Sequence, residues 1–430
     1  MSRTNTSTRT THGSQHRRAR GWPWLCLIVI ATTVIGSVLW GMVWWEERPL
    51  RATANLLEQN DGTRALSSVD RFLRDHPDHS QGLALKARAL VQLGRSSEAI
   101  RLFEKVGAAS TDDMRAYTKA CLMLEQWVQA SPVLEYLLRL DPDDADLLHE
   151  VAACRAKLGE LEGAVEAAGR FASIAGNEAR GYLLVGILER DRGNFRKACD
   201  AWARVFQVNP DAIDLQISAD GFHLEYGKAL LKLGEPAAAM DRLKQSIAIK
   251  PSCTAISLLG KAFSQLGKEE DAEQEWRKAL ELDPSNETAR QGLAELAMKK
   301  SDFQGAMDWL QPLAGSPELS SATAFLLQRV SSLLGDTESA SAWQARVEQI
   351  RKLEELHGTV DQVLNDSPDS MWGQVLRAYR LAEQGNWDQA ELLLKQFLKD
   401  PAHPFISALG AAVQARSALP QLSGLPIESF

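Results

Sequence analysis

The sequence predicts an all-α protein: a solenoid of helix–turn–helix repeats preceded by one apolar span. Three observations carry this expectation. Alanines recur at 99, 130, 164, 198, 239, 272, 306, 340 and 390, with steps of 31, 34, 34, 41, 33, 34, 34 and 50 residues. A glycine stands five residues ahead of seven of them: Gly94, Gly159, Gly193, Gly234, Gly267, Gly335 and Gly385. Residues 21–45 contain no charged side chain. A recurrent step of 34 is the period of a stacked pair of helices.

The first element, residues 1–20, is rich in Ser, Thr and Arg and has no apolar periodicity. Such a segment buries too little surface to offset its ordering entropy, so it is expected to be a disordered basic tail. The second, Gly21 to Trp45, is long enough as a helix, about 37 Å, to cross a hydrocarbon core of about 30 Å. Trp22 and Trp24 mark one end and Trp40, Trp44 and Trp45 the other, as interfacial tryptophans do. A cleaved signal peptide and a buried core helix are the alternatives. The run is long for a signal, and tryptophans stand where its cleavage site would need small residues. Arg3, Arg9, Arg17, Arg18 and Arg20 precede the span, against Arg48 and Arg51 just after it. The positive-inside rule then leaves the tail in the cytoplasm and carries residues 46–430 across the cell membrane, into the periplasm if the source is bacterial. This is a single-pass topology.

The third element is the repeat array, residues 46–403. Its best unit, Cys253 to Asn286, places Gly260 early, Phe263 one turn later, then Ala272, Trp276 and Ala279, and ends at Pro284. The preceding units carry Gly186, Ala198 and Trp202, then Gly227, Leu230 and Ala239, and end at Pro210 and Pro251. On these residues the body resembles the tetratricopeptide-repeat (TPR) proteins. The resemblance spans roughly residues 50–400 and is strongest over 145–315. It implies a right-handed superhelical solenoid with a concave groove lined by the first helix of each unit. Gly186, Gly227 and Gly260 would let helices approach. Ala198, Ala239 and Ala272 would sit where a larger side chain separates them, Trp202 and Trp276 would fill the space between units, and Pro284 would end a unit. A lone unit cannot bury its apolar face, so stacking stabilises the array. Nine good units and one or two degenerate ones are expected. The 41-residue step puts an insertion at 211–220, and the 50-residue step an extra segment at about 352–370, a long helix plus a turn. Residues 404–430 are expected to form a capping helix or a tail.

No catalytic constellation stands out. The sequence has no P-loop, no G-x-S-x-G, no H-E-x-x-H and no dinucleotide fingerprint, so neither an enzyme nor a small-molecule substrate is expected. None of the five cysteines (Cys26, Cys121, Cys154, Cys199 and Cys253) forms a C-x-x-C pair. Those in helical patterns are expected to be small buried hydrophobes. His76 and His79 suggest a metal pair, but they lie in a proline-marked exit loop and lack the third and fourth ligands a site needs. The acids of DPDDAD at 141–146 suit a helix N-terminus. No metal and no cofactor are expected. Residues 46–430 hold 43 basic against 56 acidic residues, a balance that does not attract nucleic acid.

The groove is where a ligand would bind. Counted from the alanine positions, Lys228, Lys232, Lys261 and Lys299 project from first helices into it. They read either as an ordinary solvated face or as a basic patch for an acidic or carboxylate-ended peptide. The asparagines of the two-carboxylate clamp of some chaperone-binding relatives are missing. The expected function is a membrane-anchored scaffold that binds a protein or peptide outside the cytoplasm. The alternative is an obligate subunit of an envelope complex for secretion, cell-wall or cytochrome assembly.

Overall fold

The structure, a computed structural model, describes residues 48–316, 319–399 and 403–426. The expected tail and membrane span, residues 1–45, lie outside the described residues. Twenty-one α-helices and no strand occur among those that are described. No described helix is long and apolar enough to cross a membrane.

The described residues divide into two compact units, one ending at Tyr117 and one beginning at Thr118. The first contains α1 (Arg48–Glu58), α2 (Gly62–Asp75), α3 (Ser80–Gln92) and α4 (Ser96–Val106). Its core gathers Leu50, Leu57, Val69, Phe72 and Leu83. α5 (Thr111–Met123) runs across the division.

The second unit continues with α6 (Trp127–Leu140), α7 (Ala145–Lys157), α8 (Leu161–Ala172), α9 (Glu178–Asp191) and α10 (Phe195–Val208). Then come α11 (Ala219–Lys232), α12 (Pro236–Ile249), α13 (Cys253–Gln265), α14 (Glu269–Leu282), α15 (Glu287–Lys299) and α16 (Phe303–Leu310). It ends with α17 (Ser321–Leu333), α18 (Thr337–Asp366), α19 (Met371–Glu383), α20 (Trp387–Leu394) and α21 (Pro404–Ala415). From α7 to α20, odd-numbered helices are the first and even-numbered helices the second of each pair.

Small residues set the spacing. Ala65, Ala99, Ala130, Ala164, Ala198, Ala239, Ala272, Ala306 and Ala390 are all 0% exposed. Ala340 is only half-buried, because the start of α18 has a wet face. A Cβ on Gly186 would lie 2.1 Å from Trp202 Nε1, and one on Gly260 would lie 2.7 Å from Trp276. Gly292 of the next unit meets the same indole at 2.3 Å, and Gly227 meets Leu243 at 2.8 Å. Each tryptophan therefore needs glycines facing it. Each also donates to a backbone carbonyl: Trp202 to Leu183 at 3.2 Å and Trp276 to Ser257 at 3.0 Å. Pro284 follows α14, and its carbonyl accepts from Arg290 Nε at 2.6 Å.

The turn inside each pair is left-handed. All seven glycines that precede the alanines by five have φ between +73° and +83°. Three pairs lack that glycine, and the same slot holds Asn60, Glu125 and Ser301 at φ 57°, 56° and 57°. The geometry is kept even where the residue is unsuited to it.

The two irregular steps have definite structures. Residues 209–218 form a loop in which Ala212, Asp214 and Gln216 take positive φ and Ala212 and Leu215 are buried. The 50-residue step is absorbed by α18, a single helix of 30 residues that begins well before position 352 and ends in a turn capped by Ser370. After α21 the chain does not run free: a 3₁₀ turn, Leu422–Gly424, brings Leu422 and Leu425 back onto the last core.

The array also closes on itself within the second unit. Gln389 of α20 accepts from Val128 N at 3.1 Å and donates to the Glu125 carbonyl. Arg377 of α19 lies 2.8 Å from Glu160, and the Leu364 side chain covers Gly159. Trp127 and Val128 thereby pack into the same apolar cluster as Val375, Leu394 and Phe405. An open solenoid would lack these contacts.

Candidate functional site

Lys228, Lys232 and Lys261 line one pocket of about 600 Å³. It lies on three successive first helices: α11 gives Lys228 and Lys232, α13 gives Thr254, Ser257, Leu258, Lys261 and Gln265, and the approach to α15 gives Asp283 to Thr288. The 34-residue register places them: Thr254 and Thr288 line the pocket one period apart. Sequence counting missed the residues beyond the lysines, although extending it by one period would have reached Thr288.

The lysines are not equivalent. Lys228 Nζ is held by Glu225 at 2.7 Å, and that carboxylate is shared with Arg190 at 2.8 Å. Lys232 and Lys261 are exposed and make no ion pair among the described residues. Lys299 does not join them. It occupies the slot of Lys232 two units on, but its Nζ reaches Glu269 at the start of α14 at 2.9 Å. An acid in a first helical turn is favoured by the helix dipole, and it captures the neighbouring amine.

The lining also holds acids, Asp283 and Glu287. Ser285 donates to Asp283 from its hydroxyl at 2.6 Å and its backbone N at 2.9 Å. These bonds hold the Asp283 carboxyl below its usual range. Glu287 accepts from Gln291, Ser320 and Thr323. The lining therefore carries both signs of charge, with Lys232 and Lys261 alongside Asp283 and Glu287, and the apolar Leu231 and Leu258.

Burial pushes the Cys154 and Cys199 thiols up to about 12, well away from the thiolate a reaction needs. Among the described residues no group of three or more His, Cys, Asp or Glu is placed to hold a metal ion. His79 caps α3, accepting from Gly82 N at 3.2 Å, and His76 stacks on Phe72. Asp144 caps α7, accepting from Leu147 N at 3.0 Å.

Two family models match the chain: "Psidin, N-terminal TPR repeats region" over residues 47–178, and "Tetratricopeptide repeat" over residues 257–318. With the helix pairs and their small-residue register, they make the body a tetratricopeptide-repeat array. The chain is similar to the N-terminal acetyltransferase A complex auxiliary subunit NAA15 of Arabidopsis thaliana, 20% identical over 267 residues, covering 58% of this chain and 29% of that protein. It is also similar to Protein CTR9 homolog of Arabidopsis thaliana, 24% identical over 299 residues, covering 59% of this chain and 27% of that protein. The chain spans less than a third of the length of these curated relatives. Among solved structures it resembles the C-terminal part of a TPR repeat-containing protein from Cytophaga hutchinsonii, at TM-score 0.45 and 14% identity, covering 57% of this chain and 99% of that one. It also resembles Naa15/Naa10 bound to HypK-THB, at TM-score 0.39 and 16% identity, covering 86% of this chain and 66% of that one.

Proposed function

We propose that this protein is a membrane-anchored TPR scaffold that holds a segment of another protein against its first-helix face and has no catalytic chemistry of its own. The observation that carries this is the pocket on α11, α13 and α15, where Lys232 and Lys261 stand without ion-pair partners in an acidic body. An acidic or carboxylate-ended segment supplies the missing charges. The anchor is residues 21–45, whose charge-free length and tryptophan ends support a single pass. The arginine bias supports a repeat body outside the cytoplasm. Nucleic acid and small-molecule substrates have no matching surface in this proposal.

Affinity purification of the full-length protein from detergent-solubilised membranes tests the binding surface. The double variant Lys232→Glu with Lys261→Glu should lose its acidic partner or bind it at least about tenfold more weakly, as expected when desolvated charge pairs are reversed. Partners retained unchanged would refute the lysine pocket as the site. Protease added outside spheroplasts should digest the body, and protection there would refute the topology.

A second possibility is an obligate subunit of an envelope complex. It is favoured by the auxiliary-subunit name of one relative. A partner that co-purifies at a fixed ratio through size exclusion distinguishes it from an exchanging scaffold.

A further inference from the structure

The closure of the second unit has the features of a joint. Its contact joins apolar packing to a few polar bonds: Trp127 and Val128 pack into the cluster of Val375 and Leu394, Gln389, 4% exposed, bridges the backbone of Glu125 and Val128, and Arg377, 8% exposed, meets Glu160. The contact is also incompletely satisfied. Among the described residues, five buried side-chain polar atoms have no hydrogen-bonding partner, and three of them belong to Gln129, Asn365 and Arg377. Gln129 adjoins Val128, while Asn365 and Arg377 line a cavity of about 210 Å³ at the seam. Burial pushes the Glu160 pKa up despite the neighbouring arginine, so desolvation outweighs the attraction between the pair. The polar part of the contact therefore specifies a position without contributing much stability.

The element that carries the closing module is suited to bend. The first half of α18 packs by Trp343, Val347 and Ile350 into the core under α17. Its last third packs by Leu356, Val360 and Leu364 into the core of α19 to α21. Residues 351–355 between them are all exposed, and Gly358 follows at an exposed position with open space around it. Glycine inside a helix costs about 1 kcal/mol relative to alanine. A stretch of helix whose one ring contact is Arg351 over Phe325, 5.9 Å from the ring centre, therefore connects two separately packed bodies among the described residues.

We propose that residues 356–399 and 403–426 form a latch that opens and closes in the folded protein, pivoting on the 351–358 stretch of α18, and that its opening admits a partner chain to the first-helix face. The function of the latch as a gate rests on the binding surface proposed above, whereas its movement does not. A segment that lies along several first helices enters a closed array only by threading an end, whereas an open array accepts it from the side.

The experiment uses the full-length protein in detergent with Cys26→Ser. With Cys253→Ser added, so that the half-exposed native thiol takes no label, spin labels on Glu162→Cys and Glu391→Cys, both exposed, report distance across the seam. In a second preparation without these cysteines, Cys253 reports access: it is half-exposed and adjoins the pocket residue Thr254, whereas Cys121, Cys154 and Cys199 are buried. The wild type should show a dominant short distance and a minor long one. Arg377→Ala should raise the long population, and the rate at which a 5-kDa polyethylene-glycol maleimide modifies Cys253, at least tenfold, with N-ethylmaleimide unchanged. Gly358→Ala, which stiffens the pivot without touching the seam, should lower the long population. If Arg377→Ala loses helicity, the wild type and Gly358→Ala decide. A single short distance in the wild type, or a long population indifferent to Gly358→Ala, would overturn the latch. A distance change with no change in Cys253 modification would leave a moving module and overturn its role as a gate.

Discussion

The left-handed turns allow a test whose magnitude follows from backbone geometry alone. Gly267 has φ +73°, and a Cβ built there meets nothing within 4 Å. Gly267→Ala therefore adds no steric contact and removes none. A non-glycine residue in this region costs about 1–2 kcal/mol, and alanine returns about 0.4–1 kcal/mol by restricting the unfolded chain. The net loss is about 1 kcal/mol. Ser301 occupies the same slot at φ +57°, is exposed, and makes no side-chain hydrogen bond among the described residues. Ser301→Gly should run the other way, gaining about 0.5 kcal/mol by the same two terms. Urea unfolding followed by circular dichroism reads both. At a slope near 3 kcal/mol per molar, 1 kcal/mol moves the midpoint by about 0.3 M. A neutral Gly267→Ala, or a destabilising Ser301→Gly, would show that these turns are not selected for left-handed geometry.

Four further outcomes are expected. Gly186→Ala places a methyl 2.1 Å from Trp202 Nε1 and should destabilise by about 1–3 kcal/mol, the usual range for overpacking, in thermal or urea melts; Gly193→Ala, with open space, should cost less. At pH 8, Ellman's reagent should leave Cys154 and Cys199 unmodified in the folded protein, because burial has pushed their thiols up to about 12, and should titrate them only after denaturation. His223 is held neutral by burial and by the nearby Arg242; a depressed histidine pKa means that the unfolded chain binds more protons, so stability should fall as pH drops through about 6.5 and below, and His223→Phe should flatten that slope in unfolding midpoints. Exchanging the seam pair for apolar residues, Glu160→Met with Arg377→Met, should leave the thermal midpoint unchanged or raised, whereas Arg377→Ala alone should lower it, since a buried charge is then left unpaired.

The sequence revealed what repeats and hid what does not. Alanine and glycine positions were legible because one residue type solves one packing problem every 34 residues, and the structure buries those alanines and turns at those glycines. Glu125 and Ser301 were invisible as left-handed residues, because neighbouring turns impose the conformation and the side chain gives no sign of it. The lysine pocket was partly legible: register found Lys228, Lys232 and Lys261, but it included Lys299, whose partner Glu269 belongs to the preceding unit. The contacts of Gln389 and Arg377 had no periodic signature. They arise where small rotations between repeats accumulate until the end of the second unit meets that unit's own first helices, and no local pattern records that sum.

That meeting changes how the second unit should fold. In a plain repeat array each unit senses only its neighbours, and stability spreads along the chain as along a row of dominoes. The bond from Gln389 to the Glu125 carbonyl joins positions 264 residues apart. Loop closure over that length costs entropy before any contact repays it, so the first and last repeats are expected to order late and together. Truncating residues 371–426 should then weaken helices near residue 130 that are remote from the cut in sequence, a long-distance loss that a row of independent repeats does not show.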